Sequence, residues 1–136
     1  MEDCIFCKIA QGKVPSTKVY ENDKVIAFLD IAPNNKGHCL IVPITHSKNL
    51  LEMDKEDLNA AMEALQKVAK AVTKAFDYPG FNLLMNNSKE AGQVVFHSHF
   101  HIIPRYEGDG IKFEARHLNY EGNEKAEYAE KIKKLI

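Results

Sequence analysis

The chain has no tryptophan and only three cysteines among its 136 residues. Three is an odd number, so a disulfide framework cannot account for them all. Long apolar runs are missing too. The longest are a few residues, far short of the ~20 that a membrane-spanning helix needs. Neither sign of charge dominates: 18 Lys and Arg oppose 19 Asp and Glu, for a net charge of -1. A nucleic-acid-binding surface normally shows as a basic excess, so nucleic acid is not an expected partner. The opening "MEDCIFCKIA" is acidic and lacks a signal-peptide pattern, which predicts a cytoplasmic protein. No repeat, low-complexity tract or linker divides the sequence, so residues 1–136 are expected to form one domain.

What is present is ordinary globular material. Hydrophobic residues make up 45% and charged residues 27%, enough for a real core at this length. "CIFCKIAQGKVP" reads as a short helical or irregular segment, stopped by Gly12 and Pro15. "STKVYEN" and "KVIAFLDIAP" read as strands joined around Asn22-Asp23, and "GHCLIVPI" as a third that ends at Pro43 or lies at an edge. Asp54 is a good helix N-cap, with Asp57 at N3. Leu58, Met62, Leu65, Val68, Ala69, Val72 and Phe76 then recur at helical spacing as one apolar stripe. Such a helix spans roughly 33 Å, enough to cross a whole sheet. "FNLLMNN" and "VVFHSHFHIIP" read as a fourth and fifth strand, joined as a hairpin by "NNSKEAGQ". The tail "NEKAEYAEKIKKLI" has helical spacing of Ala126, Ala129, Ile132 and Leu135. Strands, a long helix, then more strands predict an α+β fold. The expected form is a five-stranded antiparallel sheet with one long helix packed on it and shorter N- and C-terminal helices.

The fifth strand carries the chemistry. His97, His99 and His101 alternate within "FHSHFHIIPR", and alternate residues of a strand share a face. Phe96, Ser98, Phe100 and Ile102 are then expected to point the other way, into the core. One histidine there would read as part of a solvated face. Three in register point to proton transfer, nucleophilic attack or metal binding. One shared metal is disfavoured by distance. Strand positions i and i+4 lie roughly 13 Å apart, whereas zinc needs its ring nitrogens at about 2.0 to 2.1 Å. The outer rings should therefore have separate partners. A neutral imidazole is a good nucleophile, and attack on phosphorus splits one hard step into two easier ones. His99, with a neighbour on each side, is the natural nucleophile.

Cys4-x-x-Cys7 favours a metal site or a redox pair in a reducing compartment. The bland alternative is a pair of buried reduced thiols. A tetrahedral site needs two more ligands. Spacing alone leaves His38, Cys39, His46, His97 and His117 open. Cys39 reads as a core thiol of the third strand.

At His97-Ser98-His99-Phe100-His101-Ile102-Ile103 the sequence resembles the histidine triad family of nucleotide hydrolases and transferases. The resemblance extends to "CIFCKI", "AFLDIAPNNKGHCLIVPITH" and "MNNSKEAGQ", and its Ile-Ile-Pro-Arg ending resembles the bacterial branch. It implies a homodimer with a sheet continuous across both subunits. It also implies binding of purine nucleotides and reaction at the α-phosphate through a nucleotidyl-histidine on His99. His101 then contacts phosphate, and Asp30 takes the ribose hydroxyls, which a carboxylate can accept as a pair. By itself, Asp30 reads equally well as a turn residue. Phe6, Phe28, Leu29 and Ile31 match positions near the base. Asn86 and Gln93 match polar positions near ribose and phosphate, and His38 matches a histidine near the site. The resemblance to bacterial members with the cysteine pair implies Zn²⁺ held by Cys4, Cys7, His46 and His97. Ser98 departs from the apolar pattern, with a small packing loss expected. Val94 stands where many members carry a phosphate-contacting Ser. A nucleotide-binding regulatory module with negligible turnover is therefore the second function class.

Overall fold

A computed structural model describes all 136 residues. Helix α1 (Ile5–Ala10) is followed by strands β1 (Lys18–Glu21), β2 (Val25–Leu29) and β3 (Cys39–Pro43). The long helix α2 (Lys55–Ala75) leads to β4 (Gly80–Leu84) and β5 (Phe100–Arg105), and helix α3 (Glu124–Lys133) closes the chain. The strands form one antiparallel sheet in the order β1-β2-β3-β5-β4. The α+β class and the five-stranded antiparallel sheet are as expected.

Alternation along the strands builds two cores. Val25 and Ala27 of β2, Cys39 and Ile41 of β3, and Phe100 and Ile102 of β5 face α2. Ile26, Phe28, Leu40 and Val42 face the other side and meet Phe6 and Ile9 of α1. His101 pairs in register with Leu40, so it too lies on the α1 side. The sheet is thus a two-sided wall, and the histidine chemistry sits opposite the long helix.

Helix α2 starts where the sequence says. The Asp54 carboxylate accepts the backbone N–H of Asp57 at 2.8 Å, which satisfies one orphan donor of the first turn. Its buried stripe differs in detail. Leu65, Val68, Ala69 and Val72 are buried, but so are Ala61 and Ala64, while Met62 and Phe76 are exposed. Small side chains let α2 lie close to the sheet, which turns the bulkier neighbours outward.

Strand β5 is shorter than expected. It begins at Phe100, so His97, Ser98 and His99 precede the ladder. The reason is a local tie: the Ser98 N–H donates to the Ser47 carbonyl at 2.7 Å, and the two serine hydroxyls bond at 2.7 Å. Phe96, expected in the core, is 49% exposed, because the alternation has not begun there. Ser98 is fully buried and hydrogen-bonded, so its polarity is used rather than tolerated. Strands β4 and β5 do pair antiparallel, but through a long connection holding a single 3₁₀ turn at Lys89–Ala91 rather than a tight hairpin. Pro43 does end β3, which is a central strand and not an edge.

The loop before β3 is pinned from several sides. Asn35 donates to the Pro104 carbonyl at 2.8 Å and to Asp109 at 3.0 Å. Asp109 in turn receives a two-pronged Arg105 contact at 2.6 and 2.9 Å, and Arg105 holds its carboxyl well below the usual carboxylate range. The Tyr78 hydroxyl donates to the Lys36 carbonyl at 2.6 Å. Gly37 has φ +96 and is crowded by Val72, Pro104 and Tyr78, a place that suits only glycine. Helix α3 forms as expected but buries no residue. No helix is long and apolar enough to cross a membrane.

Candidate active site

Two clusters share the α1 face. The first gathers Cys4, Cys7, His46 and His97, whose ligand atoms lie within 4.8 Å of one another. Helix α1 brings Cys7, and Cys4 sits at its N-cap position. His46 follows β3, and His97 precedes β5. The His97 Nε2 lies 2.7 Å from the Pro43 carbonyl. A carbonyl only accepts, so Nε2 carries the ring proton and Nδ1 keeps its lone pair. That lone pair faces Cys4 Sγ at 3.3 Å, Cys7 Sγ at 3.5 Å and His46 Nδ1 at 3.2 Å. Tetrahedral zinc with ordinary bond lengths sets sulfur and nitrogen about 3.5 Å apart, and two nitrogens about 3.3 Å apart. The donor set and its spacing therefore fit zinc. Burial pushes His97 down to about 4 and lowers His46 as well, which keeps both rings neutral and able to ligate. Burial raises the Cys7 thiol. A bound cation would reverse that sign, since a coordinating thiol is deprotonated outright.

The second cluster surrounds a cavity of about 450 Å³, a size suited to a small organic ligand. Phe6, Phe28, Leu29, Asp30, Ile31, Asn86, Val94, His99 and His101 all line it. A smaller apolar hollow of about 300 Å³ between β1 and α2 holds no titratable group but Lys67 and Tyr20 and lies away from the histidines. Three expected residues lie outside the cavity lining. His97 belongs to the sulfur cluster. His38 is 2% exposed and sits behind His101, with 2.9 Å between His38 Nε2 and His101 Nδ1. Gln93 is buried and braces its own loop. Its carbonyl accepts from Ser88, and its amide donates to the Lys48 and Val95 carbonyls.

His99 is oriented by its own backbone neighbourhood. Its Nδ1 lies 2.6 Å from the His97 carbonyl. Nδ1 therefore carries the proton, and the lone pair sits on Nε2. The edge of Phe6 packs on the ring at 5.1 Å between centroids, and His101 lies 5.1 Å away on the cavity side. Burial is the main cause that lowers His99 and that pushes His101 down to about 4. Both rings are thus neutral at pH 7. One cavity therefore holds a neutral imidazole lone pair, a carboxylate and an apolar wall.

Ile5, Ile9, Leu40, Gly92 and Val95 also line the cavity and were not singled out from the sequence. Leu40 was findable in principle, since strand pairing sets it opposite His101. The sequence pattern does not give that register. The backbone groups of Pro43 and His97 carry no sequence signal at all.

Residues 11–108 match the HIT domain model. The chain is 51% identical over 111 residues to Protein hit of Bacillus subtilis, covering 81% of this chain and 77% of that one. It is 44% identical over 107 residues to Adenylylsulfatase HINT3 of Arabidopsis thaliana, covering 79% of this chain and 54% of the plant protein. A solved HIT family structure from Bacillus subtilis superposes with a TM-score of 0.92 at 42% identity, over 98% of this chain and 97% of that one. A zinc-bound histidine triad family protein from Mycobacterium smegmatis superposes at 0.78 with 34% identity, over 85% and 84% of the two chains. By domain match, sequence and fold together, the chain belongs to the HIT family.

Proposed function

We propose that this chain is a nucleotide hydrolase or transferase that acts at the α-phosphate of purine nucleoside 5′-phosphoryl compounds, such as adenosine phosphoramidates or dinucleoside polyphosphates. The observation that carries the reading is His99. It is neutral, it is fixed by the His97 carbonyl at 2.6 Å, and its Nε2 lone pair is left for a cavity that also holds Asp30.

In the first step His99 Nε2 attacks phosphorus. A P–N bond forms, the bond from phosphorus to the leaving group breaks, and its electron pair departs with that group. Water then attacks the same phosphorus, and the P–N electrons return to His99. The products are a nucleoside monophosphate and the free leaving group. Asp30 accepts the ribose hydroxyls through one carboxylate. Its Oδ1 already holds the Ala32 N–H at 2.8 Å, which fixes the carboxylate plane. Phe6, Phe28, Leu29 and Ile31 supply an apolar seat for the base, and Asn86 a polar contact near the ribose. Gln93 acts indirectly, by bracing the loop that carries Val94. The plant relative's name, an adenylylsulfatase, supports an adenylyl compound as substrate.

Cys4, Cys7, His46 and His97 would hold Zn²⁺. Bound there, the ion would staple α1 to the segments before β5 and after β3 and so fix the His97 carbonyl that orients His99. The zinc-bound relative supports this. The reading includes a cytoplasmic setting, in keeping with three free thiols, and a homodimer that continues the sheet through β4. β4 is an edge strand with Phe81 and Leu83 exposed, an edge that a second strand would cover.

The test is a trap. The protein is mixed with adenosine 5′-phosphoramidate, and the intact mass is read within the first turnovers. An adenylyl adduct on His99, absent in His99→Ala, is the expected result. Full turnover by His99→Ala would sink the mechanism. Val94, 85% exposed at the cavity, favours the second reading, a nucleotide-binding module with negligible turnover. Tight AMP binding without release of any leaving group would select it.

A further inference from the structure

Three cysteines share one chain, and their surroundings divide them. Cys39 is fully buried in β3, its Sγ–H donates to the Gly37 carbonyl at 3.2 Å, and burial pushes the thiol up to about 11. It is a neutral core thiol with no route to solvent. Cys7 is buried as well, whereas Cys4 is half-buried.

A hollow of about 560 Å³ opens on the outer side of the sulfur cluster. Cys4 and His46 stand in its wall with Val94, Val95 and Phe96, and Cys7 and His97 do not. The hollow shares Ile5, Val94 and Val95 with the cavity of His99, so the two are neighbours across one thin wall. A small molecule arriving from solvent therefore meets one sulfur of the cluster, Cys4. The second waits behind it. Both sulfurs reach the same His97 Nδ1, at 3.3 and 3.5 Å, and the ligand atoms of the cluster all lie within 4.8 Å of one another. Cys4 has extended backbone at the N-cap of α1, so its side chain can swing onto Cys7 without unwinding the helix. A sulfur that holds a cation is a thiolate, the form that attacks disulfides.

We propose that Cys4 is an oxidative modification site whose partner is Cys7: a low-molecular-weight disulfide entering the hollow is reduced by the pair, and the resulting Cys4–Cys7 bond loosens the wall of the nucleotide cavity. The Cys4 thiolate attacks one sulfur of the disulfide RSSR. A Cys4–SR bond forms, the RS–SR bond breaks, and its electron pair leaves as RS⁻. The Cys7 thiolate then attacks Cys4 Sγ, the Cys4–Cys7 bond forms, and a second RS⁻ departs. Two protein thiolates are oxidised, and one disulfide is reduced to two thiolates. The cluster then keeps only two imidazoles, too few for tetrahedral zinc.

The change reaches the cavity by two routes. The His97 ring loses both sulfur partners, and the His97 carbonyl is the group that holds His99 Nδ1 at 2.6 Å. Phe6 lies between the two cysteines in sequence and packs edge-on against the His97 and His99 rings, at 5.9 and 5.1 Å between centroids. Drawing Cys4 onto Cys7 moves Phe6, which lines the cavity. The modification itself does not need the proposed function; the loss of nucleotide affinity rests on it.

The test treats reduced, metal-loaded protein at pH 7.5 with bis(2-hydroxyethyl) disulfide, a neutral probe that the flanking Glu2 and Asp3 neither repel nor attract. Peptide mapping should show a Cys4–Cys7 bridge and an untouched Cys39. A chromophoric indicator should register one zinc per chain released in step with the bridge. AMP affinity, read by calorimetry, should fall at least about 5-fold, the low end of the usual coupling between two sites. Dithiothreitol followed by zinc should restore it. Cys7→Ser should stop at one mercaptoethanol adduct on Cys4.

Modification of Cys39 ahead of the pair, a pair that stays reduced under excess probe, or a bridged pair with unchanged AMP affinity overturns the inference. If Cys7→Ser fails to fold, the map of the unaltered protein decides. A protein that bridges and loses AMP affinity as expected, but turns over no phosphoramidate, upholds the inference and removes hydrolysis from the proposed function. A reduced protein that binds no AMP removes the proposed function, and the peptide map and zinc release then decide the inference alone.

Discussion

The ring of His99 is held by the backbone of His97, its partner two residues earlier, through a 2.6 Å contact from Nδ1 to the carbonyl oxygen. The same His97 is held through its own ring by Pro43. One residue thus serves the sulfur cluster with its side chain and the cavity with its main chain. Disturbing the cluster should reach His99, the proposed nucleophile, through one peptide unit.

The proposed nucleophile gives the most direct prediction. His99→Asn removes the Nε2 lone pair but leaves a polar group of lower volume beside Phe6. Turnover of adenosine 5′-phosphoramidate should fall by on the order of 10³ or more, since a missing nucleophile is not replaced by its neighbours. AMP affinity should change far less. Calorimetry beside a turnover assay reads both.

Metal content gives the second. The purified protein should carry one zinc per chain by elemental analysis. Cys7→Ala or His46→Ala should release it, and His99→Asn should not. Removal by a chelator costs the linkage energy, ~2.7 kcal/mol at free zinc 100 times its dissociation constant. For a chain of this size that lowers Tm by about 10 °C. Zinc retained in full by both Cys7→Ala and His46→Ala would refute the site.

How much of this was legible in the sequence differs by residue. The Asp54 cap and the α2 stripe were readable because both are local, set by neighbours within one or two turns. The alternation of Phe100, His101 and Ile102 was readable for the same reason. Phe96 was misread because a tie between Ser47 and Ser98, distant in sequence, stops the strand from starting early. Met62 was misread because helical spacing gives a face but not its width. His38 was flagged by resemblance alone. Its partner Asn34 meets it through a backbone N–H, which any residue except proline provides, so no side chain announced it.

The Ser47–Ser98 pair supports a third prediction. Their hydroxyls bond at 2.7 Å in a buried setting. Ser98→Ala strands the Ser47 hydroxyl, loses the contact to the Ser47 carbonyl at 3.3 Å, and should cost about 0.5 to 1.5 kcal/mol for each bond lost. The double variant Ser47→Ala/Ser98→Ala should lose less than the sum of the singles, because neither then leaves an unpaired partner. Denaturant melts of the four proteins measure that coupling. Strict additivity would mean the pair is idle.

Acid sensitivity gives the fourth. Burial holds His101 at about 4 and lowers His38, whereas both titrate near pH 6.5 in an unfolded chain. Between those values the unfolded state binds more protons. Stability is therefore full above about pH 6.5 and is lost as pH falls toward about 4. Each unit of separation is worth ~1.4 kcal/mol before solvent screening, and the partly exposed His101 ring should deliver only a fraction of it. Thermal melts from pH 7.5 to 4 should show a falling Tm, with a shallower fall in His101→Gln. Parallel curves for the two proteins would contradict the assignment.

Val94 carries the last prediction, because the proposed function puts it where a hydroxyl would meet the phosphate. It lines the cavity and is 85% exposed, so Val94→Ser changes no packed core. A hydroxyl that bonds the phosphoryl group better in the transition state than in the bound substrate raises kcat. One that bonds both equally lowers KM alone. A single hydrogen bond of about 0.5 to 1.5 kcal/mol corresponds to roughly 2- to 12-fold in kcat/KM. The split between kcat and KM in Val94→Ser therefore reports which state the position addresses. No change in either would mean that the mouth of the cavity lies too far from the phosphate to matter, and that turnover is set by the histidines behind it.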